Sequence, residues 1–275
     1  ARALGVPCFW EMPNVLGDRY PFGLNRRIYQ RQCRRFGVVP LSNSAYTGAS
    51  LGGPIRARVM HLGVDATRFD PDRVAPVTRA ELGIPADAVV LSVVGRLEPQ
   101  KGQDRVLRAM LTVGADAGAP PLHLLLLGGP TDGPFAAELR SIAAAAGAAG
   151  RLHLLGTRPD PERYYGATDV AVNARVDAEP YGLSVVEAMM MGRPVLAHAL
   201  GGPAETVVDG TTGWHVGDPT AEALAAGLRR ALADRPRWPR MRQAARAHAL
   251  AHFTVERQAA FFTGVVNEVL AGRGK

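Results

Sequence analysis

The chain has 275 residues, of which 47% are apolar and 21% are charged, a balance typical of a globular protein with one large or two ordinary domains. No apolar run reaches the roughly 20 residues of a membrane-spanning helix, and the start, ARALGVPCFW, lacks the basic segment and cleavage site of a secretory signal. The sequence therefore predicts a cytoplasmic protein. The net charge of +7 fits an anionic small molecule, a membrane surface or nucleic acid as partner, and charge alone does not separate them.

The first 85 residues have the pattern of a small α/β unit. The predicted elements are a strand in PCFWEM (7–12), an amphipathic helix over 22–36, a strand in VVPLSNS (38–44) and a strand in RVMHLG (58–63). A linker with several prolines is predicted near 70–87. These elements are too few for a complete domain, so we interpret residues 1–85 as part of an N-terminal α/β domain.

From about position 88, short apolar runs that end at glycine alternate with segments of helical spacing. The predicted strands are 89–95, 122–128, 151–156, 169–174 and 194–200. The predicted helices lie near 102–113, 134–146 and 160–166, from Gly182 onward, and just after position 200. This alternation is typical of a doubly wound α/β domain, in which helices cover both faces of a parallel sheet.

Ligands of such sheets bind beyond the carboxyl ends of the strands, where the loops that lead into helices present free backbone N–H groups. Five loops are therefore expected to line one crevice: 95–101, 128–134, 156–160, 174–182 and 200–203.

The segment VVGRLEPQKG places two cations on the first of these loops. Arg96 and Lys101 follow the strand that ends at Gly95, and Lys101 is one of only two lysines among 32 basic residues. A guanidinium and an ammonium can each neutralise oxygens of a diphosphate, although a solvated surface pair remains the alternative. No Walker loop and no G-x-G-x-x-G follows a strand, so ATPase and NAD-dehydrogenase functions lose their main support.

The segment EPYGLSVVEAMMMGRP places two glutamates around a predicted helix start. A helix that begins near Gly182 or Leu183 offers unpaired N–H groups to a phosphate. Glu187 projects from the same helix face one turn further on, in a position for paired hydroxyls such as those of a ribose. Glu179 precedes the helix and can reach the far side of the phosphates. Hydroxyls at both ends of a diphosphate describe a nucleotide sugar.

Together these segments resemble retaining glycosyltransferases of the GT-B fold that use Glu-x7-Glu, the group 1 or family 4-like enzymes. The resemblance rests on MHLGVDATRFDP, VVGRLEPQKGQDRVLRAM, LLLLGGP, LHLLGTRPDPERYYGATDV and EPYGLSVVEAMMMGRPVLAHALGGPAETVVDGTTGWHV. It implies that Arg96 and Lys101 hold the donor diphosphate, that Glu187 binds the ribose and that Glu179 touches the transferred sugar, with Glu179, Arg96 and Lys101 as the catalytic set. It also implies that further residues line the donor site, namely Gly95, Gly156, Thr157, Tyr181, Gly182 and Leu183, of which Gly156 and Thr157 lie near the base.

The resemblance further implies transfer of a sugar from a nucleotide sugar to a hydroxyl with retention of configuration and without a metal or other cofactor. The acceptor would be a sugar, a lipid-linked molecule or a small molecule. Residues 86–250 would form the donor domain, 1–85 an acceptor domain that lacks its N-terminal part, and 251–275 a helix that packs back on the latter. A donor-binding fragment without turnover and a nucleotide-sugar epimerase of the same fold remain alternatives. Glu11 to Asn14 stand where many relatives carry a histidine.

Other candidate motifs are interpreted as structural. Asp70-Pro71-Asp72 lies in the linker and is typical of a turn, and His248 and His252 share a helical face without a third ligand, so no metal site is predicted. The basic stretch 229–248 carries no nucleic-acid motif, and no nucleic acid is predicted as partner. The arginine-rich helix 22–36 is either a solvated helix or one that contacts an anionic membrane peripherally, at the inner face.

Overall fold

Two parallel sheets organise the chain, and the computed structural model describes residues 6–17 and 24–272. The first sheet has the order β1-β2-β3, with β1 at Cys8–Met12, β2 at Val38–Ser42 and β3 at Arg58–Val59. Helix α1 (Leu24–Phe36) precedes β2, and helix α2 (Ala45–Ala49) follows it. Residues 22 and 23 of the predicted helix lie outside the described residues.

The third predicted strand is shorter than expected from RVMHLG. Only Arg58–Val59 pair with β2, because the chain then leaves the sheet to reach the start of the last helix. The Val64 N–H donates to the Phe253 carbonyl at 2.8 Å, and the Val255 N–H donates to the Val64 carbonyl at 3.3 Å. The apolar pattern of this segment therefore reflects burial in a seam between elements that are distant in sequence.

The second sheet has six parallel strands in the order β6-β5-β4-β7-β8-β9. Its strands are β4 (Val89–Val94), β5 (Leu122–Leu127), β6 (Leu152–Gly156), β7 (Val170–Asn173), β8 (Val195–His198) and β9 (Gly213–Val216). The order reverses direction between β4 and β7, and such a reversal opens a crevice at the carboxyl edge of a doubly wound sheet. The predicted α/β fold and its five predicted strands are thus confirmed, while β9 was missed.

Helices cover both faces of this sheet. They are α3 (Gln103–Gly114), α4 (Pro134–Ala145), α5 (Pro161–Tyr165), α6 (Leu183–Met190), α7 (Pro203–Thr206), α8 (Ala221–Ala233) and α9 (Trp238–His252). Helix α10 (Val255–Ala271) follows them in the chain. Met189, Met190 and Met191 are at most 2% exposed, so their interpretation as helix core is confirmed. The prolines that interrupt the basic stretch 229–248 lie between α8 and α9 and in the first turn of α9, where proline is tolerated.

The proline-bearing linker is packed against the second sheet. Phe69 contacts Tyr165, with ring centroids 6.5 Å apart, and Val77 and Ile84 belong to the buried cluster beneath β4 and β5. Arg79 Nη2 also donates to Asp169 Oδ2 at 2.6 Å. The linker is therefore an ordered segment that packs along the second sheet and contributes to its core.

Helix α10 packs on the first sheet. Val265 is buried with Leu41 and Met60, and the rings of Phe9 and Phe262 meet edge to face with centroids 5.2 Å apart. The chain thus crosses back after α9. No helix within residues 6–17 and 24–272 combines the length and apolar character needed to cross a membrane.

Two histidines on neighbouring strands predict a pH effect on stability. His123 Nδ1 and His153 Nε2 lie 3.0 Å apart. Burial lowers the pKa of both imidazoles, and the proximity of His153 lowers the pKa of His123 further. Since the unfolded chain takes up these protons first, near its ordinary pKa of about 6.5, the free energy of unfolding should fall as pH drops from 7 to 5.5. Urea unfolding of the parent and of His153→Gln checks this, and an equal pH dependence in both would contradict it.

Candidate functional site

Glycines end the three adjacent strands β4, β5 and β6. The Gly95 N–H donates to the Leu127 carbonyl at 2.9 Å, and the Gly128 N–H donates to the Gly156 carbonyl at 2.8 Å. A Cβ on Gly128 would lie 1.9 Å from the Gly95 carbonyl oxygen, so no side chain fits there. The loop after β6 lies against the loop after β5, because Thr157 Oγ1 would lie 3.1 Å from a Cβ on Gly129. Three of the five predicted loops therefore share one edge.

The loops that follow β4 and β7 are joined directly. Lys101 ends a short 3₁₀ turn, and a Cβ on the next residue, Gly102, would lie 2.2 Å from the Ala174 carbonyl oxygen. The Val176 N–H donates to the Gln100 carbonyl at 2.9 Å. This close packing brings Lys101 Nζ to 2.9 Å from Glu179 Oε2, so two predicted site residues form an ion pair.

Arg175 is a third charged member of this cluster, which the sequence pattern did not reveal. Its Nη1 lies 3.5 Å from Glu179 Oε1, and its Nε donates to Asp177 Oδ1 at 2.5 Å. Glu179 is 8% exposed, so both of its carboxylate oxygens face a cation in a nearly buried position. Arg175 is the second residue after β7, just as Arg96 is the second residue after β4. The same position on the loop could therefore have identified it from the sequence.

Among the described residues, Arg96 pairs with Glu98 and does not join the contacts between Lys101, Glu179 and Arg175. Its side chain is 75% exposed, and its Nη1 lies 2.6 Å from Glu98 Oε1. Each cation of the site therefore faces a carboxylate: Arg96 faces Glu98, Lys101 faces Glu179, and Arg175 faces Asp177 and Glu179. An exposed pair of this kind is weak, so Arg96 can exchange its partner for an incoming anion at little cost.

Helix α6 begins next to Glu179. Gly182 has φ 83°, and a Cβ there would lie 3.3 Å from Glu179 Cγ. The helix starts at Leu183, and its first N–H groups have no partner within the helix. The glycine thus lets an anion approach both a helix N-terminus and the Lys101–Glu179 pair.

Glu187 lies one turn inside α6 and contacts α5. The Tyr165 hydroxyl lies 3.0 Å from the Ser184 carbonyl oxygen and 3.3 Å from Glu187 Oε2. Burial raises the pKa of the Glu187 carboxyl, and the Tyr165 hydrogen bond and the charge of Arg68 partly offset this. Tyr165 therefore orients a half-buried carboxylate that can accept hydrogen bonds from hydroxyls.

Tyr181 anchors the glutamate-bearing loop rather than pointing into open space. Its side chain is 3% exposed, its hydroxyl donates to the Leu62 carbonyl at 2.7 Å, and its ring stacks on His61. The neighbouring Pro180 carbonyl accepts from Ser44 Oγ at 2.6 Å and from Thr47 Oγ1 at 3.2 Å. The loop that carries Glu179 thus rests on the start of α2 and on the segment that follows β3. A ligand contact for Tyr181 stays a prediction.

A second contact joins α7 to α2, close to the contacts of Pro180 with Ser44 and Thr47. The Glu205 carboxylate of α7 accepts hydrogen bonds from the backbone N–H groups of Ala45 and Tyr46, at 2.8 and 2.9 Å. These two residues form the first turn of α2. Burial alone would raise the pKa of the Glu205 carboxyl, but the hydrogen bonds from His61 and the two N–H groups outweigh it and lower the pKa.

Within the described residues, no group of three or more histidines, cysteines, aspartates and glutamates could hold a metal ion.

Comparison with known proteins identifies the family to which the chain is related. The profile of the family described as "Glycosyl transferases group 1" matches residues 75–248. The D-inositol 3-phosphate glycosyltransferase of Mycolicibacterium paratuberculosis is 38% identical over 206 residues, which cover 71% of this chain and 44% of that protein. The chain spans about half the length of the curated relatives that it matches.

Solved structures show the same architecture. Anabaena Alr3699/HepE, in complex with UDP and glucose, has a TM-score of 0.81 at 23% identity, over 96% of this chain and 72% of that one. Sucrose-phosphate synthase from Thermosynechococcus elongatus has a TM-score of 0.70 at 29% identity, over 85% of this chain and 59% of that one.

The two parallel sheets, with the charged crevice at the carboxyl edge of the second, define a protein of the GT-B fold, as the sequence predicted. The chain belongs to the glycosyl transferases group 1 family.

Proposed function

We propose that this chain belongs to an enzyme that moves a sugar from a nucleoside diphosphate sugar to an acceptor hydroxyl, with retention of configuration and without a divalent metal or other cofactor. The observation that carries the proposal is the cluster of Lys101, Glu179 and Arg175 beside the start of α6. It offers cations for a diphosphate and a carboxylate for sugar hydroxyls within one crevice.

The donor diphosphate would bind at the N-terminus of α6. The unpaired N–H groups there and the helix dipole favour an anion. Lys101 would leave Glu179 for the phosphate oxygens, and Arg96 would leave Glu98. These cations then stabilise the charge that develops on the departing diphosphate, a role that a metal ion plays in other enzymes.

The two glutamates would hold the two ends of the donor. Once Lys101 has moved, Arg175 still fixes Glu179, whose free oxygen can accept hydrogen bonds from hydroxyls of the transferred sugar. Glu187, oriented by Tyr165, would accept from the ribose hydroxyls. We propose that the diphosphate leaves on the face where the acceptor attacks, which is one route to retention, with Lys101 close to the departing oxygens.

Relatives suggest which substrates to assay first. The Anabaena structure is a complex with UDP and glucose, and the M. paratuberculosis relative is named a D-inositol 3-phosphate glycosyltransferase. We therefore infer UDP-glucose as the first donor for this chain. For the acceptor, a sugar, a lipid-linked molecule or a small polyhydroxylated molecule such as an inositol phosphate is proposed.

The proposal assigns residues 86–250 to donor binding, 1–85 to the acceptor side, and 251–275, with residues 273–275 outside the described structure, to the link between them. The contacts of α10 with Leu41 and Met60 support this division. We also propose a cytoplasmic location with peripheral contact of α1 at an anionic membrane. Exposed apolar side chains on that helix support it, namely Leu24, Ile28 and Phe36.

Product analysis with a panel of nucleotide sugars tests the function. Appearance of a glycosylated acceptor or of hydrolysed donor supports transfer. An epimerised donor, or binding without any product, would replace the proposal by an epimerase or by a donor-binding protein.

In this proposal Arg96 and Lys101 form a metal-independent clamp on the donor diphosphate. A chelator should therefore have no effect on donor binding. Nucleoside diphosphate should bind in excess EDTA with a Kd within about twofold of the value in magnesium, because arginine and lysine supply the neutralising charge. Isothermal titration with and without magnesium or manganese checks this. A Kd that improves tenfold or more with metal would contradict the clamp.

A further inference from the structure

A second basic site lies on the first sheet's side of the molecule, along helix α1. A cleft of about 620 Å³ runs between this helix and the loop that follows α2. Its described lining is Arg26, Arg27, Gln30, Arg31, Arg34 and residues 51–54. A cleft of this size is in the range that holds a small-molecule ligand. It shares no residue with the crevice around Lys101 and Glu179.

The floor of this cleft is built by Gln30. This side chain is 7% exposed, its Nε2 donates to the carbonyls of Gly52 and Ile55, and its Oε1 accepts the Ile55 N–H at 3.0 Å. Gly52 and Gly53 have φ of 60° and 71°, and a Cβ on Gly53 would lie 2.9 Å from Gln30 Cδ. The loop is therefore fixed against α1 by a buried amide and by glycines, and the cleft is a formed feature of the surface.

Three arginines of this cleft form a row of like charges. Arg27, Arg31 and Arg34 follow one another at helical spacings of four and three, which places them side by side on α1. No acidic residue is among the described residues that line the cleft. None of the ion pairs between described residues involves these three side chains. This differs from the donor crevice, where each cation faces a carboxylate.

We propose that the α1 cleft is a second anion site, which binds the phosphoryl groups of a phosphorylated ligand. Guanidinium groups match phosphate oxygens in paired hydrogen bonds, and three of them in one concavity suit more than one phosphoryl group. A bound polyanion also removes the repulsion between neighbouring arginines. The site takes its ligand either from solution or from phospholipid headgroups, because both present the same chemistry.

Titration with inorganic tripolyphosphate in the Lys101→Ala background tests the site, since that substitution weakens the donor crevice. The double variant Arg31→Gln, Arg34→Gln should bind tripolyphosphate at least tenfold more weakly than the background. Arg240→Gln removes an exposed arginine of α9 and should change the Kd by less than about twofold. Nucleoside diphosphate binding by the double variant in the parent chain should be unchanged, which separates this site from the proposed donor site.

Sedimentation with vesicles identifies the source of the phosphoryl groups. Binding to phosphatidylglycerol vesicles but not to phosphatidylcholine vesicles, with competition by tripolyphosphate, assigns the site to headgroups. Tripolyphosphate binding without vesicle binding assigns it to a ligand from solution. The proposal is overturned if Arg240→Gln weakens binding as much as the double variant, or if neither probe binds.

Discussion

The Glu179→Gln variant is expected to bind nucleoside diphosphate as tightly as the parent chain or more tightly, and to transfer sugar about a hundredfold more slowly. Glutamine keeps the shape of the side chain but removes the charge that holds Lys101 at 2.9 Å. Lys101 is then free for the diphosphate. In the proposed arrangement the sugar hydroxyls, by contrast, lose their charged acceptor, and loss of one such group in an active site slows a reaction by roughly 10²–10³.

Glu187→Gln is the matched contrast within the same motif. If Glu187 accepts from ribose hydroxyls, this variant should bind free nucleoside diphosphate about tenfold more weakly, since a hydrogen bond to a charged group contributes roughly 1.5–3 kcal/mol. Titration of both variants with nucleoside diphosphate and with the best nucleotide sugar, alongside a transfer assay, measures the difference. Unchanged affinity for both ligands in Glu187→Gln would overturn the ribose assignment.

Melting temperatures separate binding effects from folding effects in this pair. Glu179→Gln leaves Lys101 and Arg175 beside a neutral amide in a nearly buried position, and a modest fall in melting temperature is expected. Glu187 has no ion pair of this kind among the described residues. Equal loss of stability in both variants, without any difference between ligands, would indicate a purely structural pair.

Lys101→Ala is expected to weaken nucleoside diphosphate binding by about ten- to hundredfold while leaving nucleoside binding nearly unchanged. The ammonium contacts only the phosphates in the proposed arrangement, and a charged hydrogen bond of roughly 1.5–3 kcal/mol corresponds to this range of Kd. Isothermal titration with nucleoside and nucleoside diphosphate checks the ratio.

Two controls sharpen the Lys101 result. Lys101→Arg keeps the charge and should recover part of the affinity. Arg96→Gln changes a side chain that is 75% exposed and should cost less than Lys101→Ala. An equal loss for nucleoside and nucleoside diphosphate in Lys101→Ala would mean that the substitution disturbs the fold.

Much of the second sheet was predictable because its strands are buried on both faces. VVLSVV and LHLLLL are short, mostly apolar runs followed by glycine, and such runs are typical of strands in a sheet covered by helices on both sides. The carboxyl ends of these strands then fixed which loops share a crevice. Strand β9, with the sequence GWHV, is too short and too mixed to stand out.

The charged cluster could be predicted only in part. Lys101 and Glu179 were identified from local spacing beside a strand and a helix. The pairing of Arg175 with Glu179 depends on β4 and β7 being neighbours, and that strand order is a property of the whole sheet. Likewise, the truncation of β3 follows from contacts between Val64 and the residues before α10, which lie about 190 positions away in sequence.

The anchoring of Pro180 and Tyr181 on α2 and on the segment after β3 has a consequence for protein engineering. If residues 1–85 form the acceptor side, as proposed, acceptor preference would be altered by exchanging them for the matching part of a relative. The incoming segment must then supply hydroxyls where Ser44 and Thr47 stand, and a free carbonyl where Leu62 stands, because these groups hold the loop that carries Glu179. A chimera without them would also disturb the loop that carries Glu179, so the two parts of the chain are not independent modules.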